Sequence, residues 1–581
     1  MRRIFSRRRR KAVACELRCE KAVRGSAQVI EAAPSDDDRF TQMIGAFYKP
    51  FENRGRFKIK LMKHLFLTIA LATVTQMASA QQPAAIPTKL ISLPLTPWDV
   101  ESTAVQITVN GEPISVWETR NGPSLRYCHF DTDKLVKVQV MRKAKTLAVA
   151  SNDRVHIKPE QSDTGWQFEM PPNTKVFLKG TNMFICASSP EKNAPKPGDA
   201  NVLNIADAGL KPNLESTSTK LIQKAIDDAA KGPRKIVYFP AGVYISGTLY
   251  MRDGVTLYLA TGSVLRGSEE GAAWINRPGP NYLGTSALIF FGSDQEQSGE
   301  VTGVRNASIR GRGTIDGWGH HFRRDNVDGK RGNSPGFYEG DLTKRARLMM
   351  GMKAENCLVE GVTLRNPTFW AVHAIGCKKF DFTDVKVYAN FRINNDGINY
   401  DASSDSTIDN CAMITGDDSH CLKNEYMNGI GGPNERIRVA NSILTGFPLG
   451  IKLGWALHRV HDCVYENNWL VGAGFRAAFA KGVFDKSPGP KIVEMTGITL
   501  RNMVIDDSFE LETGGGKKVA NVDGFKIENF RLENTIIGRS LSLTKVKGVV
   551  LKGVTVAGVK IKTKEEAAAF LPDCTEVVVQ E

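Results

Sequence analysis

The feature that most constrains this chain is a recurrence of short alternating apolar units, each closed by asparagine or glycine, with no helix between them. Cys357-Leu-Val-Glu-Gly-Val-Thr-Leu-Arg-Asn366, Phe380 to Val387, Thr407 to Ile414 and Val549 to Val556 are examples. Equivalent apolar positions Val359, Phe382, Ile408 and Val439 lie 23, 26 and 31 residues apart, and Leu500, Ile527 and Leu551 extend the series at 27 and 24. A period of this size made of strands and turns predicts a parallel β-helix, each coil burying its inward side chains on the next. A propeller would need blades of about 40–45 residues with Trp-Asp signatures, which are missing. The expectation for 201–581 is therefore all-β: a right-handed parallel β-helix.

In front of it, 81–190 carries period-two runs such as Val105–Val109 and Leu135–Val140, with Asn110-Gly111 as a hairpin signal and Lys175–Leu178 as a later strand. That pattern predicts a small antiparallel β-sandwich, joined by a linker at 191–200. Leu221, Ile222, Ala225, Ile226 and Ala229 then fall at helical spacing, and Gly232-Pro233 stops the helix. A helix there is placed to cap the open end of a stacked sheet.

The formal net charge of +15 does not imply a nucleic-acid partner, because residues 1–61 hold 16 Lys/Arg against 7 Asp/Glu and so contribute +9 of it. Met62-Lys63-His64, the apolar run Leu65–Val74 and Ala78-Ser79-Ala80 read as a signal peptide at 62–80, which makes 1–61 an upstream start-site artefact or a basic tail. The expected location is periplasmic or secreted. Nothing after the leader supplies the roughly 20 apolar residues of a membrane span. Export permits disulfides, and Cys128 with Cys186 could staple the sandwich; buried thiols are the alternative.

Residues one coil apart in a solenoid sit on neighbouring strands, about 4.8 Å apart. Asn394-Asn395-Asp396-Gly397 and Gly416-Asp417-Asp418 are separated by 21 residues, so Asp396, Asp417 and Asp418 should gather on one face. Either motif alone is a turn. Together they form a cluster in which like charges raise one another's pKa. Glycoside hydrolysis uses such a cluster, with one protonated carboxyl for the leaving oxygen and one ionised carboxylate for the nucleophile.

Thr363-Leu-Arg-Asn-Pro-Thr-Phe-Trp-Ala-Val-His373-Ala-Ile-Gly-Cys377, Asn395-Asp396-Gly397-Ile398 and Thr415-Gly-Asp417-Asp418 with Lys423 resemble the core of glycoside hydrolase family 28, the polygalacturonases. The resemblance implies that Asp417 is the general acid, that Asp396 and Asp418 position and activate water in an inverting hydrolysis, and that His373 and Lys423 line the groove. Asn395 and Lys452 complete the substrate-binding set expected near the aspartates. The family's Gly-His-Gly segment is replaced by Phe447-Pro-Leu-Gly-Ile-Lys-Leu-Gly-Trp455, with Leu449 at the histidine's place, and its Arg-Ile-Lys motif is reduced to Phe479-Ala-Lys481. Leu453-Gly454-Trp455 and a leading sandwich are similar to the dextranase and isopullulanase family, glycoside hydrolase family 49, which acts on neutral α-glucans.

Trp455 is a stacking platform or a core residue. His420 is a substitute for the missing histidine or a core residue, and His458 and His461 are further groove candidates, beside Lys481. No residue spacing implies a metal or a cofactor. The expected function is hydrolysis of a polysaccharide or oligosaccharide, pectin-type or neutral α-glucan. The alternatives are a lyase or epimerase on acidic glycans and a non-catalytic glycan-binding β-helix. Gly317–Arg347 is expected to shape one end of the groove. Oligomeric state is open.

Overall fold

A computed structural model describes residues 90–581, apart from 121–124, 143–145, 213–214, 271–272, 275–285, 293–301, 320–345, 391–393, 425–428, 448, 455–457, 478–491 and 512–523. The leader expected at 62–80, the upstream segment 1–61 and most of the loop 317–347 lie outside the described residues. Thr88–Glu581 forms one compact unit.

Three sheets of fifteen, twelve and ten strands, parallel except for the last strand of the second, Val559–Lys560, run the length of 202–580 and are termed sheets 1, 2 and 3 in the order the chain visits them. Their strands step forward one coil at a time, as in a parallel β-helix. Val359 pairs with Phe382, Phe382 with Ile408 and Ile408 with Val439, so the spacing read from the sequence is the coil length there. Further on it is not. Leu500 pairs with Leu532, and Ile527 pairs with Met495. Strands Ile492–Arg501 and Gly524–Glu533 are each ten residues long, so each offers two inward apolar residues to match. The true steps are Leu500 to Leu532 and Leu532 to Leu551.

Each repeat unit is two strands around a corner. Asn410, Asn441, Asn467, Asn502 and Asn534 stand at the turn from sheet 1 to sheet 2 on successive coils, with φ between 46° and 55°. Asparagine tolerates this left-handed region because its short side chain finds local partners. Here the partner is the next coil: Asn467 Nδ2 donates to Asn441 Oδ1 at 3.0 Å, Asn502 to Asn467 at 3.0 Å and Asn534 to Asn502 at 3.2 Å.

Helix α1 (Thr219–Lys231) covers the first coils, with Ile222, Ala225, Ile226 and Ala229 in the main core. Leu221, expected on that face, is half exposed. It sits at the helix's first turn, at the margin of the buried stripe. Gly232 ends the helix, its N–H donating to Asp228 O.

Residues 100–188 form a six-stranded and a five-stranded sheet. Asn110-Gly111, with φ of 52° and 86°, closes the hairpin between Gln106–Val109 and Glu112–Ile114. Most pairs are antiparallel, but Arg126–Asp131 and Met183–Ser188 run parallel. Cys128 pairs with Ile185 and Cys186 with His129, one position out of step. Neighbouring side chains on a strand face opposite sides, so Cys128 enters the sandwich core while Cys186 joins the layer against the β-helix. Both thiols are free; the staple does not form.

That second layer, with Tyr127, Phe177 and Phe184, packs on Tyr388, Ile414 and Ile443 of sheet 2. Buried ion pairs cross it. Arg365 Nη1 meets Asp99 at 2.8 Å and its Nε meets Asp316 at 3.2 Å, while Lys175 reaches Asp384 at 2.7 Å. Burial works against the Asp384 carboxylate, but Lys175, Lys386 and Arg312 outweigh it and hold its pKa far below the usual range.

Candidate active site

Both aspartate motifs stand at the corner that leads into sheet 3, on successive coils. Asp396 precedes strand Ile398–Asp401, and Asp417-Asp418 lies in the turn between Ala412–Thr415 of sheet 2 and His420–Lys423 of sheet 3. Ile398 pairs with His420, and Gly397 N–H donates to Asp418 O at 3.0 Å. The coil step is therefore 22 residues at this point, which sets Asp418 over Asp396 and Asp417 over Asn395. Gly397 allows the close stacking, since a Cβ there would lie 2.2 Å from Ser419 O.

Asn395, expected to touch substrate, is fully buried and donates to Pro367 O and Phe369 O on the preceding coil at 3.0 and 2.9 Å. Its role is to fix the turn that presents Asp396. Lys423 Nζ lies 3.2 Å from Asp396 Oδ2 and 3.9 Å from the centre of the Trp370 ring. Lys452 Nζ lies 3.0 Å from Asp418 Oδ2. These two lysines are thus spent on the aspartates. Asp417 has no cation at ion-pair distance among the described residues; its carboxylate accepts from Asn394 N–H and Nδ2 at 3.2 and 3.3 Å and from Asp418 N–H at 3.0 Å.

The unequal partners divide the carboxyls. Burial pushes Asp417 up to about 7, with Asp396 and Asp418 adding to the rise. Burial also raises Asp396, but Lys423 offsets part of it and leaves the group at about 6. For Lys452, burial disfavours the charge, and Asp418 more than restores it, so its pKa is raised. The site therefore combines a carboxyl pushed up to about 7 that has no lysine beside it with two carboxyls that each face one. Asp418 Oδ1 is buried with no hydrogen-bond partner among the described residues.

The remaining candidates fall elsewhere. His373, expected on the groove wall, is fully buried, with the Trp370 ring edge-on at 4.9 Å and Asp401 Oδ2 3.4 Å from Nε2. Burial, Arg347 and Lys423 press its pKa well below the ordinary value, so it is a neutral ring under Trp370. His420 points inward between Tyr400 and Tyr465, its Nδ1–H donates to Ile398 O at 2.8 Å, and its pKa is lowered to about 4 by burial. It is a core residue and replaces nothing. Leu449 is buried too. His458 and His461 belong to a sheet 1 strand, away from the aspartate corner, and His461 Nε2 faces Glu494 at 3.2 Å. Trp455 and Lys481 lie outside the described residues.

Two participants escaped the sequence reading. Asn399 Nδ2 donates to Asp396 Oδ2 at 3.0 Å. Register could have found it, because Asn399 shares an outward column with Lys452. Arg347 lies 5.0 Å from Trp370 and 5.3 Å from Phe369, ring centre to guanidinium carbon; it comes from strand Ala346–Met352, on the coil before Trp370, and has no motif. Among the described residues no group of acidic, His or Cys side chains could hold a metal ion, and no helix is long and apolar enough to cross a membrane.

A family described as Glycosyl hydrolases family 28 matches residues 292–431, and one described as Rhamnogalacturonase A/epimerase, pectate lyase-like, matches 202–265. A Vitis vinifera protein named "Probable polygalacturonase" is 26% identical over 329 residues, 52% of this chain and 62% of its own length. The Exo-poly-alpha-D-galacturonosidase of Dickeya chrysanthemi is 26% identical over 257 residues, 38% of this chain and 41% of its own length. The chain thus spans less than two thirds of either relative. The solved structure of Dex49A from Penicillium minioluteum matches with a TM-score of 0.50 at 14% identity, covering 84% of this chain and 97% of that one. The chain is similar to family 28 in sequence, and it shares its fold with Dex49A.

Proposed function

We propose that this chain is an exported, polygalacturonase-like glycoside hydrolase that cleaves a polysaccharide with inversion at the anomeric carbon. The observation that carries the reading is the division of labour among three neighbouring aspartates: lysines sit at 3.2 Å from Asp396 and 3.0 Å from Asp418, while the Asp417 carboxyl, pushed up to about 7, keeps a proton. Asp417 donates that proton to the glycosidic oxygen as the bond to the leaving sugar breaks. Asp396 and Asp418 orient a water on the opposite face and take its proton, Asp418 Oδ1 being a buried acceptor without a hydrogen-bond partner among the described residues. Export is supported by the signal-like segment 62–80.

Pectin-type galacturonan is the first substrate reading, supported by the names of the relatives. A neutral α-glucan is the second. It is favoured by Leu449 in the histidine's place and by the engagement of Lys423 and Lys452 with aspartates rather than with open groove.

Reducing-sugar release by residues 81–581 from polygalacturonate, rhamnogalacturonan, dextran and pullulan tests both, with Asp417→Asn as control and proton NMR of the first product for its anomeric form. Release that the variant loses, with an inverted product, is expected. Unsaturated product ends would instead make the chain a lyase. Binding of one polymer without cleavage by either protein would make it a glycan-binding β-helix.

A further inference from the structure

A cleft of about 980 Å³ runs between the sandwich and the corner where sheet 1 turns into sheet 2. It is not the aspartate site. Asn410 stands at the cleft end of the sheet 2 strand Ala412–Thr415, and Asp417 follows its other end, so the two are separated by roughly 20 Å of extended chain. One wall of the cleft is the asparagine ladder. Asn410, Asn441, Asn467 and Asn502 occupy four successive coils, about 15 Å at the usual strand spacing. Within the ladder Asn467 and Asn502 each spend one amide donor on the neighbouring coil, which leaves each a second donor. The other wall is the sandwich segment 152–155 with Ser189–Lys192, and it touches the ladder where Asn152 Nδ2 donates to Asn410 Oδ1 and Asn441 O and Arg154 donates to Asn502 O.

At one end the cleft meets a second cavity of about 300 Å³, and the two share Asp153 and Arg154. This second cavity is lined by Trp469 together with Leu147, Val149, Ile157 and Pro159. The Trp469 ring is held in place, its Nε1–H donating to Asp506 Oδ1 at 2.8 Å and Lys179 Nζ lying 5.1 Å from its centre. A row of planar amides leading to a fixed, partly exposed indole suits a ligand with many hydroxyls and an apolar ring face. Charge in the cleft is largely paired off, since Arg310 meets Glu360 at 2.6 Å and Arg312 meets Asp131 at 3.1 Å. That balance suits hydroxyl recognition better than binding of a phosphate chain.

We propose that this interdomain cleft is a second glycan-binding site, taking an oligosaccharide segment along the asparagine ladder with one ring against Trp469. It goes beyond the hydrolase reading but rests on it for the class of ligand. A polymer held there would stay on the enzyme between cuts.

The experiment titrates full-length Asp417→Asn protein with hexagalacturonide and with isomaltohexaose by calorimetry. A stoichiometry near two is expected for one of them. Adding Arg154→Ala, whose side chain is exposed, or Trp469→Ala should weaken one of the two events at least tenfold and leave the other. In the active enzyme Arg154→Ala should keep kcat/KM on the hexasaccharide within twofold and lower it several-fold on the long polymer. One binding event, indifferent to Arg154→Ala, overturns the second site and leaves the hydrolase reading standing. Binding of neither sugar, with no cleavage by the unmodified protein, overturns both.

Discussion

Replacing Asp417 by asparagine should abolish cleavage and at the same time stabilise the fold at pH 8, though not at pH 4. The carboxyl is pushed up to about 7 in the folded chain, against about 3.9 in an unfolded one. A folded pKa above the unfolded value means that stability present at low pH is lost as pH rises, here between about 4 and 7. Three units correspond to about 4 kcal/mol. Asp417 is partly exposed and feels the charges of Asp396 and Asp418, so screening and coupling reduce this to about 2–3 kcal/mol. Asparagine keeps one acceptor oxygen but loses part of the set formed by Asn394 and the Asp418 N–H, which costs about 1 kcal/mol at every pH. Urea unfolding of both proteins at pH 4 and pH 8 separates the terms. The variant should be slightly weaker at pH 4, stronger at pH 8, and about 2–3 kcal/mol apart between the two. A gap under about 0.5 kcal/mol, or one of opposite sign, would refute the claim that Asp417 is a strained carboxyl and with it the physical ground for its acid role.

Lys423→Met removes the cation 3.2 Å from Asp396 and should raise that carboxyl from about 6 by about 1–3 units; the acidic limb of the kcat/KM profile should move up with it, and an unmoved limb takes Asp396 out of the proton transfer. Asp99→Ala leaves the buried Arg365 guanidinium with Asp316 as its one remaining carboxylate and also removes the acceptor of the Tyr127 hydroxyl, so chemical denaturation should show a loss of about 3 kcal/mol; a loss under 1 would show that this pair does not tie the sandwich to the β-helix. Eight cysteines from Cys128 to Cys574 are free thiols, so residues 81–581 should titrate eight thiols when unfolded without reductant. In the native protein Cys128, pushed up to about 12 by burial, should resist alkylation at pH 8, and ready alkylation would contradict its place in the core.

The chain's own pattern was enough for the β-helix, because a coil repeats wherever inward residues must meet, and Val359, Phe382, Ile408 and Val439 do pair in that order. It was also enough to bring Asp396, Asp417 and Asp418 to one corner, since strand spacing makes one coil a fixed short distance. Spacing stopped being informative where coil length changed: Leu500 meets Leu532 rather than Ile527, and only the pairing of two ten-residue strands decides that. Parity placed Cys128 and Cys186 on opposite faces through a parallel pairing that local pattern does not reveal. What a long side chain reaches is likewise a tertiary matter. Lys423 and Lys452 were legible as cations near the site, but that each neutralises one aspartate and leaves Asp417 without a lysine depends on a few ångström across three coils. Burial completed the division, covering His373 with Trp370 and lifting the Asp417 carboxyl, because desolvation belongs to the packed molecule and to no residue in the chain alone.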